Sequence, residues 1–331
     1  MSARESTAIK VIVIMGVFVF LLLGLTSIGL KNLVRTTGAK RVAVDKAKSP
    51  FDGHRAYGDL ETVVGFGPRI SGSKALGRLR AFIKAGLTDA GLSVREYAFE
   101  ADTPIGLLRM VNVVGVVEGA RPGVIMLGTH YETKYFADFE FVGANDGAST
   151  TAWMMEMARA LGPKREGRTV WLCFFDGQAA FGESSDVDGL YGSRAFVQRL
   201  RETGELPKVH AMINVDMIGD CFLGVKRDRF APSRLTRVIW GTARDMGHGA
   251  YFMPFMQGIE GGHVPFRRAG IPAVNVIDFS YGGSEAEHRQ NWHTANDTIE
   301  RVCAESLQVV GDVIYHALPL VDAYLDNPMR D

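Results

Sequence analysis

Four side chains of metal-ligating type, His130, Asp146, Asp216 and His293, stand at the ends of apolar runs or in polar loops of this 331-residue chain. Imidazole and carboxylate are donors that divalent zinc takes, and three protein donors beside one open position make a catalytic metal site. The four are far apart in sequence, so spacing alone identifies no centre. Asp146, directly before Gly147, also fits a turn, and His293 also fits a donor to a carbonyl. Other chemistries find less. There is no G-x-S-x-G nucleophile elbow, and Ser193 in LYGSR reads as the cap of a helix. Cys173, Cys221 and Cys303 are too few and scattered for a disulfide framework or a zinc knuckle, and each reads as a buried thiol.

Positioning such groups is the work of the elements around them. Helical periodicity is expected over Ala75 to Ala90, Ser149 to Leu161, Gly192 to Glu202, Arg234 to Met246 and Thr298 to Leu325. Apolar strand-like runs occupy Val111 to Val117, Val124 to Gly128, Thr169 to Phe175, His210 to Val215 and Ala273 to Ile277. The alternation predicts a three-layer α/β/α domain with a mostly parallel, mixed central sheet, its strands apolar throughout because both faces are covered. His130, Asp176 and Asp216 each follow or close a strand run, where sites in such sheets gather.

Thirty-seven basic residues balance thirty-seven acidic ones, and no basic stripe is interleaved with aromatics, which argues against a nucleic-acid partner. Val11 to Leu30 is uncharged between Lys10 and Lys31, and twenty helical residues span a hydrocarbon core of roughly 30 Å. A transmembrane anchor is expected at residues 11–30 rather than a cleaved signal peptide, since the run is long for the latter and no small-x-small site follows it. Residues 1–10 then form a short tail, 31–50 a juxtamembrane linker, and 51–331 the folded domain. Basic residues after the span (Lys31, Arg35, Lys40, Arg41) outnumber Arg4 and Lys10 before it, which by charge bias places the domain inside.

The phrases KYF, FVGANDGAS, FFDG, GLYGSR, NVDMIG, GHVPFRRAGIP and NWHTAND occur in the order and approximate spacing of the glutaminyl cyclases. From about Phe51 to Leu325 the chain resembles that family, whose fold is shared with zinc aminopeptidases of the bacterial leucyl type. The resemblance implies a zinc enzyme that converts N-terminal glutamine of peptides to pyroglutamate, on the exported side of a membrane, with peptide or protein N-termini as partners. It makes Asp146 and His293 two of three ligands to one zinc. His130, Asp146 and Asp216 match the ligands of one metal in the two-metal aminopeptidases. Trp292 and His263 fall to the substrate pocket, and Asp216 to an acidic network beside the metal.

The same resemblance exposes departures. Where the family carries consecutive glutamates, the general acid/base and the third zinc ligand, this chain has Gln178 and Ala179. An amide does not exchange protons near neutral pH, and a methyl does not ligate a metal. Gly262 replaces the aspartate expected before His263, Ser184 a pocket tryptophan, and Glu132 the aspartate usual two residues after His130. Glu183 and Asp176 are the nearby acids that could substitute. Three readings follow: a cyclase, a catalytically silent relative that binds peptide N-termini or a protein partner, and an aminopeptidase-type hydrolase with a shifted metal.

Overall fold

In the computed structural model, residues 49–185 and 187–326 are described, and they form the α/β domain expected from the sequence. The tail, the anchor at 11–30 and nearly all of the linker lie outside these residues. Among the described residues, no helix is long and apolar enough to cross a membrane.

The chain enters through two helices, α1 (Gly53–Gly65) and α2 (Lys74–Asp89). Asp52 caps α1 by accepting from the amides of His54 and Arg55, and Ser73 caps α2 by accepting from Leu76. Leu76, Leu79, Ile83 and Leu87 form the buried stripe of α2. An antiparallel pair follows, β1 (Ser93–Thr103) and β2 (Gly106–His130). The expected runs at 111–117 and 124–128 thus belong to one strand of 25 residues. After α3 (Thr150–Leu161) comes β3 (Lys164–Phe175), which meets β2 twice. Val124 to His130 rise in register against Thr169 to Phe175, whereas Val113 to Val117 run in falling register against Phe174 to Val170. β3 therefore lies between the two halves of β2. The sheet continues through β4 (Val209–Asp216), parallel to the second half of β2, and β7 (Ala273–Ile277), parallel to β4.

Side chains alternate across this sheet with a period of two, and the core divides accordingly. Ile125, Leu127, Val170, Leu172, Ile213 and Val274 pack against α1, α2, α3, α5 (Ser233–Asp245) and α8 (Ala304–Asp326). Val124, Met126, Trp171, Phe175, Met212 and Ala273 face α4 (Tyr191–Glu202) and α6 (Val264–Arg268) through Phe196, Val197, Leu200 and Phe266. These are the three expected layers. A short parallel pair, β5 (Val225–Asp228) and β6 (Phe252–Gln257), forms a second sheet, and α7 (Glu285–Asn291) precedes the C-terminal elements.

Three expectations change. Cys221 and Cys303 are joined in a disulfide across 82 residues, and only Cys173 is a buried free thiol. The helix expected from Thr298 begins later: Ile299–Arg301 is a 3-10 turn, and α8 runs from Ala304. Ser193 is not a cap, because α4 starts at Tyr191 behind Leu190, and its hydroxyl donates to Gln178 Oε1 at 2.9 Å.

Candidate metal centre

His130 ends β2, Asp216 ends β4, and Asp146 sits in the irregular turn Ala144–Ser149 that leads into α3. The sheet brings the three together. His130 Nε2 lies 3.1 Å from Asp146 Oδ1 and 3.4 Å from Asp216 Oδ1. One ligand atom from each falls within 4.8 Å of the others. His293 approaches from the opposite side, its Nε2 3.1 Å from Asp146 Oδ2, so Asp146 bridges the two imidazoles.

Three of the four candidates are held from behind. Asp297 accepts the amides of Asn145 at 2.7 Å and Asp146 at 3.0 Å, and receives the Tyr281 hydroxyl at 2.7 Å. Gly147 takes φ of 94°, and a Cβ there would stand 2.8 Å from Glu132 O and 3.0 Å from His130 Cε1, so only glycine lets the turn approach the imidazole. His130 Nδ1 faces the backbone carbonyl of Glu132 at 3.2 Å, which orients the ring. The His293 ring stacks on Trp292 with centroids 3.9 Å apart and meets Phe136 and Phe141 edge-on.

The electrostatics suit a cation. Burial alone would depress His130, but the carboxylates of Asp146, Asp216 and Glu132 close to the ring outweigh it and raise the imidazole well above its ordinary range. Burial would raise Asp146, yet the two histidines hold it far below the usual carboxylate range. Burial and the charge of Asp146 push Asp297 up to about 6. Asp216 Oδ1 is buried, and its 3.4 Å approach to His130 Nε2 falls short of a well-formed hydrogen bond, a need that a metal ion on this oxygen would satisfy. One imidazole and two carboxylates are a donor set for a divalent ion, so these residues fit a metal.

The positions where acids are missing are equally defined. Gln178 and Ala179 follow β3, and both their amides donate to Glu132 Oε1, at 2.6 and 3.0 Å. The Glu132 side chain thus reaches past His130, 3.7 Å from Nδ1, to hold this segment. A side chain at Gly262 would meet Asn214 Oδ1 at 2.8 Å, so an aspartate there requires the Asn214 side chain to shift. Asp176 is committed elsewhere: it receives the Ser71 hydroxyl at 2.6 Å and the Val111 amide at 2.9 Å. Glu183 is exposed and does not line the cavity.

All four ligand candidates open onto one cavity of about 640 Å³, with Gln178, Ala179, Ser184, Gly262 and Trp292 in its walls. His263 stands behind it, fully buried with Nε2 3.3 Å from Asp228 Oδ2. Among the described residues, Leu190, Met217 and His293 are the non-glycine positions with positive φ, and all three line this cavity. Such backbone conformations cost on the order of 1 kcal/mol each and gather where geometry serves a site.

Sequence reasoning missed Asp297, although it lies within NWHTAND, four residues beyond His293. It also missed Arg69, a fully buried cation lowered to about 10 by burial against the pull of Asp297, Glu132 and Asp146. An arginine in the turn-like stretch GFGPRISGS carries no signal of such a destination.

The sequence model of Peptidase family M28 matches residues 112–318. Glutaminyl-peptide cyclotransferase of Bos taurus is 29% identical over 241 residues, which cover 62% of this chain and 64% of that protein, a little under two thirds of its length. Among solved structures, a glutaminyl cyclase from an Acidobacteriales bacterium superposes with a TM-score of 0.78 at 36% identity, covering 86% of this chain and 99% of that one. A glutaminyl cyclase of Porphyromonas gingivalis gives 0.74 at 27% identity, covering 82% and 99%. With residues of the expected phrases lining one cavity and matches that span most of the domain, the chain belongs to peptidase family M28 and is of the glutaminyl cyclase and zinc aminopeptidase type.

Proposed function

We propose that this protein is a membrane-anchored relative of the glutaminyl cyclases that binds peptide N-termini at a zinc centre formed by His130, Asp146 and Asp216, and does not turn glutamine over at an enzymatic rate. One observation carries the reading. Of the described residues lining the cavity, only Asp146, Asp216 and Glu260 are acidic. The first two face His130, and Glu260 is exposed. Glu132 touches Gln178 only through its backbone amide and does not line the cavity, so among the described lining residues no further carboxylate stands beside Gln178 to move a proton.

Bound zinc would supply a Lewis acid and a docking point for a carbonyl or amine. The chain's own groups do the rest. Trp292 offers a flat aromatic wall, and Gln178, pinned by Ser193 and Glu132, contributes an amide where a base would stand. Cyclisation of an N-terminal glutamine needs a proton taken from the α-amine and one delivered to departing ammonia, steps that a positioned base accelerates typically 10²–10⁴-fold. An amide performs neither. Hydrolysis of aminopeptidase type is the second reading, supported by the same three ligands, and it needs a base for the attacking water too.

The Cys221–Cys303 disulfide supports an oxidising compartment, and with it an exported domain held by the span at 11–30. This sides with the family's location against the charge bias of the flanks. The deciding experiment measures ammonia release from a glutaminyl peptide beside calorimetric binding of that peptide. Binding without release is expected; release at rates usual for enzymes overturns the silent reading.

A further inference from the structure

The metal-ligand candidates sit on segments far apart in the chain, and one junction ties three of these segments together. From Asp216, at the end of β4, the chain runs on through Gly219 and Asp220 to Cys221. From His293 it runs through Asp297, which holds the turn of Asp146, to Val302 and Cys303. The two exits meet. Asp220 and Val302 form an antiparallel bridge, the Cys303 amide donates to Gly219 O at 2.9 Å, and a disulfide joins Cys221 to Cys303. The third segment enters through a side chain. Asn145, next to Asp146, accepts the Gly219 amide on Oδ1 at 2.8 Å, while its own amide donates to Asp297 at 2.7 Å. The junction is close-packed: a Cβ on Gly219 would stand 2.6 Å from Val302 Cγ1 and 2.9 Å from Ser149 Cβ.

We propose that the Cys221–Cys303 disulfide is a positioning element of the metal centre, and that the site takes zinc tightly when this bond is closed and weakly when it is open. The inference rests on the zinc centre of His130, Asp146 and Asp216. Apart from the disulfide, the exits of Asp216 and His293 are joined by backbone hydrogen bonds, each of modest net strength. The covalent bond closes a loop of 82 residues and removes most of the freedom of one exit relative to the other. Metal affinity depends on partners that hold the ligands in place, and opening the bond removes such a partner. Cys221 is partly exposed, so a dithiol reaches it. Thiol–disulfide exchange then passes two electrons and two protons to the two sulfurs, and the reductant leaves as its own disulfide. Zinc loading accordingly follows oxidation of the pair.

The test uses the detergent-solubilised full chain, stripped of metal. Zinc affinity is measured by competition with a chromophoric chelator, and ligand geometry by the visible absorption of cobalt(II) added in place of zinc. Cys221→Ser with Cys303→Ser is expected to bind zinc about tenfold or more weakly and to change the cobalt spectrum, the scale on which the outer partners of metal ligands act. Native protein reduced with a dithiol, then freed of it without oxygen, should match the double variant and recover on reoxidation. Leu79→Ala, which opens a cavity in the core stripe of α2, controls for lost stability and should bind zinc as the native protein does. Equal affinity with the bond closed and open, or an equal loss in Leu79→Ala, overturns this inference alone. Unfolding of both the double variant and the reduced protein would show a bond that holds the whole domain rather than its centre, and overturns it as well. Absence of zinc binding by the native protein removes the metal centre and this inference with it.

Discussion

The carboxylate of Glu132 receives the backbone amide of Gln178 at 2.6 Å, so the acid two residues after a metal-ligand candidate anchors the segment where the family's catalytic acids would lie. It takes the Ala179 amide as well, at 3.0 Å. Glu132 thereby couples the geometry of His130 to that of the neutralised segment. Glu132→Gln keeps one acceptor but loses the charge, and should cost about 1–2 kcal/mol, charged hydrogen bonds being the stronger kind. Urea unfolding of the metal-free protein reads this; an unchanged midpoint would show that the amides find other partners.

Metal content separates the two possible centres. Zinc held by His130, Asp146 and Asp216 should be lost in His130→Ala and retained in His293→Ala, because His293 contacts only Asp146 of that group. Elemental mass spectrometry after stripping and reloading measures both. Equal loss in the two variants contradicts the assignment.

Restoring the acids tests whether the pocket survives. Gln178→Glu with Ala179→Glu should raise glutaminyl-peptide turnover by about 10²-fold or more, the scale of a positioned general base. The Gly262→Asp change should not add to this, since its side chain meets Asn214 Oδ1. Turnover equal to the native protein's would count against the silent reading.

Breaking the Cys221–Cys303 disulfide should destabilise the domain by about 4 kcal/mol, the loop-entropy scale for a span of 82 residues. Cys221→Ser with Cys303→Ser, compared by thermal unfolding, gives the value; a shift of less than a degree or two would mean that packing alone holds the ends.

Asp278 is buried and pushed up to about 7, by burial first and by the charge of Asp220 second. An unfolded aspartate titrates near 3.9. Between roughly pH 4 and 7 the folded state therefore holds a proton that the unfolded state has lost, and this group's contribution to stability falls as pH rises through that window. In Asp278→Asn that component disappears. Denaturant midpoints from pH 4 to 8 should decline less in the variant than in the native protein, and parallel curves would refute the assignment.

Much of this was legible in the sequence wherever burial was two-sided. β3, β4 and β7 read as apolar runs, and α2 and α5 as periodic stripes, because the core imposes those patterns. β1 escaped notice because it is half exposed, with Arg95, Glu96, Glu100 and Asp102 along it. α1 escaped because its glycines read as turns; Gly53 is in fact a close contact, a Cβ there falling 2.4 Å from Ala304 O. The identities of the site residues were readable by type and motif. The Cys221–Cys303 pairing and the reach of Glu132 were not, since both depend on distances between segments that no local pattern encodes.

Both edges of β3 are occupied by a single strand, so the centre of the sheet cannot open by sliding one strand past its neighbour without disturbing the same β2 twice. His130, on that doubly anchored strand, is the least adjustable of the metal-ligand candidates. Accommodation of a ligand falls instead to the loops that carry Gln178 to Leu190 and Ile259 to Gly262, which lie outside the strands. Selection among relatives of this protein can therefore rewrite those loops, and with them the chemistry, while the floor of the cavity stays in place.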